Sequence, residues 1–362
     1  MARSRHGSAS AEYPYGHEQD PYGDPHAGDQ LAGYGHDDYD EPPRLRRRRR
    51  RWPMILGIVV VVLLVITVGG YFYLDSRLKR EAVLKDYSGR PSDTPGTNWL
   101  VVGSDSRAGL TKSDQKKLAT GYAAGKRTDS MMLLHYGDGG TSLISLPRDS
   151  YVPIPGHGTH KLNSAFNYGP STLVQTVEQA TGVRIDHYAE IGFGGFVGVV
   201  DAIGGVKICV KSKMKDHKAG LDLQPGCQNL SGSQALGYVR TRATARADLD
   251  RIEHQRQFFS ALMKKSTSPG VMLNPFRSIP LAMNATSNFL VDDNDHLYDL
   301  VRMMWAMKGV SGGDGVTGSV PVGGFGNRPG DGSVVLWDKA KASKLFDALK
   351  NDQPVPKDAV TN

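Results

Sequence analysis

Residues 238–257, YVRTRATARADLDRIEHQRQ, carry arginines at 240, 242, 246, 251 and 256 and a histidine at 254, punctuated by Asp248, Asp250 and Glu253. Guanidinium at that density grips an anion, nucleic acid or a phosphate ester, or else lies on a solvated, salt-bridged helix. Three further clusters set an arginine beside a carboxylate: GSDSR (103–107), KRTDS (126–130) and SLPRD (145–149). Each borders an apolar run that reads as strand, and loops at strand ends are where α/β folds assemble sites. A single Asp-x-Arg is ordinarily a surface salt bridge; three at consecutive strand ends are harder to dismiss. The chain shows no G-x-S-x-G, no H-E-x-x-H, no P-loop and no Ser-His-Asp pattern. What remains, many arginines with a few aspartates, suits phosphoryl chemistry. Carboxylates hold Mg²⁺, while guanidiniums neutralise phosphate oxygens bidentately and stabilise a leaving phosphate.

Charge is distributed unevenly along the chain. Of 362 residues carrying +7 overall, residues 1–43 hold nine carboxylates against Arg3 and Arg5, and residues 44–51 supply seven cancelling arginines. Everything beyond residue 74 therefore holds the +7 by itself, which suits an anionic partner without naming it. Between the arginine block and that remainder lies MILGIVVVVLLVITVGGYFYL (54–74), 21 residues without a charge. At ~1.5 Å rise per residue it spans roughly 31 Å, the thickness of a hydrocarbon core. A cleaved leader would be shorter and preceded by a shorter stretch. A buried core helix is the bland alternative, and the arginine block argues against it. The run reads as a transmembrane helix with Trp52, Tyr71 and Tyr73 at the interfaces and the arginines on the cytoplasmic side. Residues 75–362 are then expected outside, where the arginines at 240–256 do not meet nucleic acid.

That compartment gives meaning to Cys209 and Cys227, the only cysteines. The stretch from Ile208 to Gln228 reads as two short strands joined by a polar loop, and a disulfide between the two is expected; buried free thiols are the alternative. The chain divides into a low-complexity tail with its arginine block (1–51), expected disordered and cytoplasmic, then the span (54–74) and a stalk (75–96). Residues 97–268 hold the polar clusters, and 269–362 complete the extracytoplasmic domain. Strands are expected at NWLVVG (98–103), SMMLLHY (130–136), TSLISL (141–146), HYAEIGF (187–193), VKICV (206–210) and VTGSVPV (316–322). Helices are expected at 170–182, 194–205, 231–240 with Ser231 as N-cap, 248–265, 293–308 and 337–350. This order implies a layered α/β sandwich.

The motifs VVGSDSR, RTDSMML, SLPRDSYV, KLNSAFNYG, GGV, LSGSQALGYVRTR and DLDRIEHQRQF, in this order behind one span, resemble the LytR–CpsA–Psr family over about residues 98–265. The resemblance implies an α/β/α sandwich with a central mixed sheet and a long apolar pocket. It further implies an enzyme, a phosphotransferase moving a glycopolymer from a polyprenyl-pyrophosphate carrier onto peptidoglycan with Mg²⁺. It assigns the metal to Asp105 and Asp129, with Arg127 bracing the latter. Arg148, Arg240 and Arg242 would face the pyrophosphate, and Arg251 and Gln255, four apart, would point from one face of the next helix. His254 stands where the family usually has arginine and Arg256 where it often has a second glutamine, so His254 is expected to be a surface substitution. The segment AGLTKSDQKKLATGYAAG (108–125) is longer than many relatives show; it is a lid over the acceptor or a surface loop. The glycine-rich run 192–205 lines the lipid pocket or packs in the core.

Arg240 and Arg242 lie two apart, so on a helix they would diverge by about 200°. Converging on one phosphate, they require the chain to leave helical geometry near 239–242; Arg246 is expected to face solvent. Two rival readings remain at this level: a membrane-anchored transcription attenuator and a non-catalytic polyprenyl-phosphate-binding protein. The expected orientation opposes the first, and the pair Asp105 and Asp129 opposes the second.

Overall fold

The computed structural model describes residues 51–106, 110–118, 128–241, 248–313 and 315–361. The tail and its arginine block, apart from Arg51, lie outside the described residues. The chain divides into two units, residues 1–56 and 57–362. Of the first, only the start of helix α1 (Trp52–Asp75) is described, and the second carries the rest.

After α1 come β1 (Lys79–Glu81), β2 (Thr97–Ser104), α2 (Lys112–Lys117) and a hairpin of β3 (Thr128–Gly137) with β4 (Gly140–Leu146). A smaller hairpin, β5 (Tyr151–Ile154) with β6 (Gly158–Lys161), leads to α3 (Pro170–Thr181), β7 (His187–Ile191) and α4 (Phe193–Ala202). Next are β8 (Val206–Val210), β9 (Met214–Asp216), β10 (Leu221–Leu223), β11 (Gly226–Leu230), α5 (Gly232–Arg240) and α6 (Asp248–Ser266). The chain continues through α7 (Pro269–Met272), α8 (Pro275–Asn288), β12 (Phe289–Asp292) and α9 (Leu297–Gly312). It ends with β13 (Val316–Ser319), a hairpin of β14 (Val322–Arg328) and β15 (Gly332–Trp337), and α10 (Lys339–Lys350).

Seven strands form the central sheet in the order β1-β12-β7-β2-β3-β4-β13. β2 is parallel to β7 and β4 to β13, whereas β3 is antiparallel to both its neighbours, so the sheet is mixed. Alternation along the strands feeds two layers. Leu100 and Val102 of β2 pack with Leu173 and Val177 of α3 and Leu345 and Phe346 of α10. Trp99 and Val101 face the other way, toward Met303 and Met307 of α9. Because both faces are covered, β2 and β3 read as continuous apolar runs. The result is the α/β/α sandwich expected from the sequence.

Residues 75–96, expected as a stalk, are instead part of the fold. β1 pairs in parallel with β12, and Leu78 and Val83 are buried. The Asp292 carboxylate accepts from the Val83 amide at 2.9 Å and the Leu84 amide at 2.7 Å. Burial by itself would raise that carboxyl, but amide donors from Leu84, Asn294 and Val83 outweigh it and hold it below the usual range. Likewise β12 and β13 come from beyond residue 268 yet sit inside the same sheet, so no break in the sheet falls there. The hairpins β5–β6 and β14–β15, helix α8 and strands β1 and β12 were not expected.

No residue of α1 is buried, which overturns the core-helix alternative. Among the described residues it is the only helix long and apolar enough to cross a membrane, consistent with a single-pass anchor. On the antiparallel pair β8–β11, Cys209 lies directly opposite Cys227 and a disulfide joins them across 18 residues of chain. Replacing both by alanine is expected to cost about 3 kcal/mol in the chain-entropy account of such a loop, read as a lowered thermal midpoint. Unreduced mass spectrometry should show the linked peptides; full thiol labelling of the folded, unreduced protein would exclude the bond.

Candidate active site

Strand register brings four segments to one end of the sheet. Gly103 pairs with Ile191 on one side and Ser130 on the other, and Met131 pairs with Leu146. The loop after β2 with Asp105, the start of β3 with Asp129, the turn after β4 with Arg148 and the β7–α4 junction therefore meet. At Asp129 the pairing skips: Gly103 opposes Ser130 and Ser104 opposes Thr128, which makes Asp129 the extra residue of a β-bulge. Bulges recur beside active sites, where they re-aim a side chain. The Thr128 hydroxyl donates to the Gly103 carbonyl at 3.1 Å and fixes the kink. The Asp105 loop lies flat on the α4 entrance, where the Phe193 amide donates to the Ser106 carbonyl at 3.1 Å. A Cβ on Gly192 would meet that same oxygen at 2.8 Å, so glycine is required for the approach.

Arg148 is held in its turn by a local ion network. Its Nε donates to Asp149 at 3.2 Å, and the Lys161 ammonium reaches the other Asp149 oxygen at 3.0 Å. Burial would raise the Asp149 carboxyl, but Lys161 and Arg148 more than offset it and keep it below the usual range. The Asn163 amide donates to the Arg148 carbonyl at 3.0 Å, so the KLN motif serves to brace the PRD turn.

Helix α5 delivers Arg240. Ser231 and Gln234 form a capping box at its start, and Arg240 is its last residue. Thr241 then takes φ −61° and ψ 141°, so the chain turns extended between the two arginines, as their spacing required. The buried Thr241 hydroxyl donates to Asp216 at 2.8 Å and pins that geometry. The Arg240 guanidinium donates to the Leu118 carbonyl at 3.1 Å and stands 4.8 Å from the Phe193 ring centroid. On α6, Gln255 Nε2 donates to the Val239 carbonyl at 3.2 Å, tying α6 to the end of α5. Arg251 lies on the same helix one turn earlier. Arg127, Arg242 and Arg246 lie outside the described residues.

Arg240 and Gln255 share the lining of a cavity of about 660 Å³. Its walls are mostly apolar and come from both the sheet and helices α4 to α9, among them Met132, Phe196, Phe258, Leu281 and Met303. Ser104, Ser130, Asp216 and Lys218 add polar groups to the same lining. The glycine-rich run does both things expected of it, since Phe193, Phe196 and Val199 line the cavity while Val200 and Ile203 sit in the core.

Two expectations change. His254 is not a surface substitution: it is half-buried, its ring 4.6 Å from that of Tyr238. Burial, with Glu253 adding to it, pushes the Tyr238 phenol up to about 12, so it stays protonated and donates to Gln257 at 2.7 Å. Arg256 lines a second cavity of about 260 Å³ with Glu253 and Gln257, away from Arg240. The inserted segment is also more than a loop over its described part, because Leu118 is buried with Phe193 and Leu236. Asp216, Thr241 and Lys161 were missed from the sequence. Only the threonine set between two arginines could have signalled a pinned, extended link.

The fold and site define an α/β/α sandwich with a mostly apolar cavity whose lining takes in Arg240, Ser104, Ser130 and Asp216. The chain belongs to the LytR_cpsA_psr family, which it matches over residues 73–312. It is 50% identical over 281 residues to the probable cell wall biosynthesis protein LcpB of Corynebacterium glutamicum, covering 77% of this chain and 66% of that one. It is 40% identical over 151 residues to the polyisoprenyl-teichoic acid–peptidoglycan teichoic acid transferase TagT of Bacillus subtilis, covering 39% of this chain and 47% of that one. The chain thus matches less than two thirds of either relative's length. Among solved structures, a LytR-Csp2A-Psr enzyme from Actinomyces oris shares the fold with a TM-score of 0.60 at 22% identity, covering 76% of this chain and 96% of that one. TagT with bound octaprenyl pyrophosphate gives a TM-score of 0.52 at 26% identity, covering 75% of this chain and 96% of that one.

Proposed function

We propose that this chain is a membrane-anchored phosphotransferase that moves a glycopolymer from a polyprenyl-pyrophosphate carrier onto peptidoglycan. The observation that carries the reading is the cavity of about 660 Å³, apolar along its walls, with Arg240 and Gln255 in its lining. A prenyl chain fills such a space, and its pyrophosphate reaches the arginines at the sheet end. The octaprenyl pyrophosphate bound in the related TagT structure supports that ligand class. A hydroxyl of the acceptor sugar attacks the glycan-bearing phosphorus and gives up its proton to solvent, the bond to the bridging oxygen breaks, and polyprenyl phosphate leaves. Arg148, Arg240 and Arg242 neutralise the oxygens on which charge develops. Asp105 and Asp129, hard oxygen donors brought to adjacent strand ends, fit Mg²⁺, which supplies further charge neutralisation when bound.

The test is transfer by the full chain in lipid vesicles, given a lipid-pyrophosphate-linked glycan, peptidoglycan oligomers and Mg²⁺. Glycan on the oligomers with release of polyprenyl phosphate supports the reading; lipid binding without transfer would leave a carrier-binding protein instead. The mechanism needs the domain outside the cell. Protease added to spheroplasts should therefore digest residues 75–362 and spare the tail, and a protected domain would sink the enzyme reading and reopen a role for arginines 240–256 on nucleic acid.

A further inference from the structure

Helix α8 is apolar on two opposite faces. Leu281, Ala282 and Ala285 point inward and line the cavity. Phe276, Ile279 and Met283, roughly half a turn away at about 100° per residue, point outward. Phe276 is 87% exposed, Ile279 56% and the preceding Leu273 82%. A surface helix in water keeps its outer face polar, so this stripe calls for an apolar cover. A second exposed stripe, Tyr298, Val301 and Trp305, runs along α9 at helical spacing. Its aromatic rings are paired with bases: Arg302 lies 5.8 Å from Tyr298 and Lys308 5.0 Å from Trp305, measured to the ring centroids. Val301 belongs both to this surface and to the cavity lining, as Met272 does beside α8.

The base of α1 is fastened to both helices. Arg77 Nε donates to Ser287 near the end of α8 at 3.0 Å, and the Leu297 amide at the start of α9 donates to Asp75 at 2.8 Å. Between Lys264 and Asn288 the sequence has Lys264, Lys265 and Arg277 and no carboxylate, which complements anionic headgroups. We propose that the outer face of α8, with the Tyr298–Trp305 edge of α9, is a membrane contact that lies in the headgroup layer of an anionic phospholipid bilayer. The inference rests on α1 being a membrane span. Aromatic and basic side chains at this level match the composition of a bilayer interface. The cavity behind α8 then borders the bilayer, and an apolar carrier chain enters it from lipid rather than through water.

The test uses the full chain in vesicles of equimolar phosphatidylglycerol and phosphatidylethanolamine. Single Phe276→Cys and Ile279→Cys variants carry a nitrobenzoxadiazole probe, with Val62→Cys in α1 and Ser343→Cys on α10 as references. Both test positions are exposed, so the substitutions leave the core intact. Blue-shifted emission at 276 and 279, quenched by doxyl-labelled lipid as at 62 and unlike 343, is the expected result. Water-like, unquenched probes at 276 and 279 with a quenched probe at 62 would overturn the contact while leaving the anchor standing. An unquenched probe at 62 removes the span and the proposal with it. Blue-shifted but unquenched probes at 276 and 279 mean that protein covers the face, a second copy of this chain, and also overturn it.

Discussion

Replacing Arg240 by alanine is expected to lower kcat of the proposed transfer by about 10²–10³-fold, the loss of one donor aimed at developing charge. The guanidinium lines the cavity, and its bond to the Leu118 carbonyl and its stacking on Phe193 hold it in place before substrate arrives. A side chain fixed in advance pays little on binding, so its removal should act on kcat more than on KM. Arg240→Lys keeps the charge but loses the planar fork and is expected to recover only part of the rate. The resemblance assigns Arg242 to the same pyrophosphate, and Arg242→Ala should lose activity to a similar degree. Arg246→Ala should be close to wild type. Equal losses at 240, 242 and 246 would mean a diffuse cationic surface, and the site would have to be redrawn.

The second large effect concerns the carboxylates. Asp105→Ala and Asp129→Ala are each expected to abolish transfer while leaving the thermal midpoint nearly unchanged. Both residues lie at strand ends, Asp105 beyond the last β2 pair and Asp129 in the bulge. Register brings the ends of β2 and β3, which carry the two residues, side by side. With the two aspartates as the proposed Mg²⁺ ligands, EDTA should stop transfer and Mg²⁺ should restore it. Full activity in EDTA would refute the metal and leave the two aspartates needing another role.

Much of this was legible in the sequence for local reasons. Apolar runs marked β2, β3 and β4, the first with β-branched content; Ser231 as a candidate N-cap marked the start of α5; glycines marked the turn of the β3–β4 hairpin. The spacing of Arg240 and Arg242 alone required the break at Thr241. What stayed hidden depends on partners far along the chain. The triplet Lys79–Glu81 has no strand signal, and becomes one only because β12 offers its edge. The brace on Arg240 is a backbone carbonyl 122 residues away, and any residue at 118 would supply it. His254 looked like a surface change because its burial comes from Tyr238 on another helix. By contrast, the turn at Pro329–Gly330 between β14 and β15 carried a readable hairpin signal that was passed over.

The cavity walls have a consequence for how this chain can evolve. Val199, Phe258 and Leu262 line the cavity and also sit in a buried core cluster, and the same holds for Leu300, Met303 and Met307 in another. Shrinking any of them to lengthen the space for a ligand would also loosen the packed interior, at about 2–5 kcal/mol for a Leu or Met cut to alanine. A lineage reshaping this cavity therefore has few tolerant positions, such as Ala282 and Met304, which line it outside those clusters. Drift should concentrate there, and elsewhere along the wall the requirement for a stable fold holds the shape of the space almost fixed.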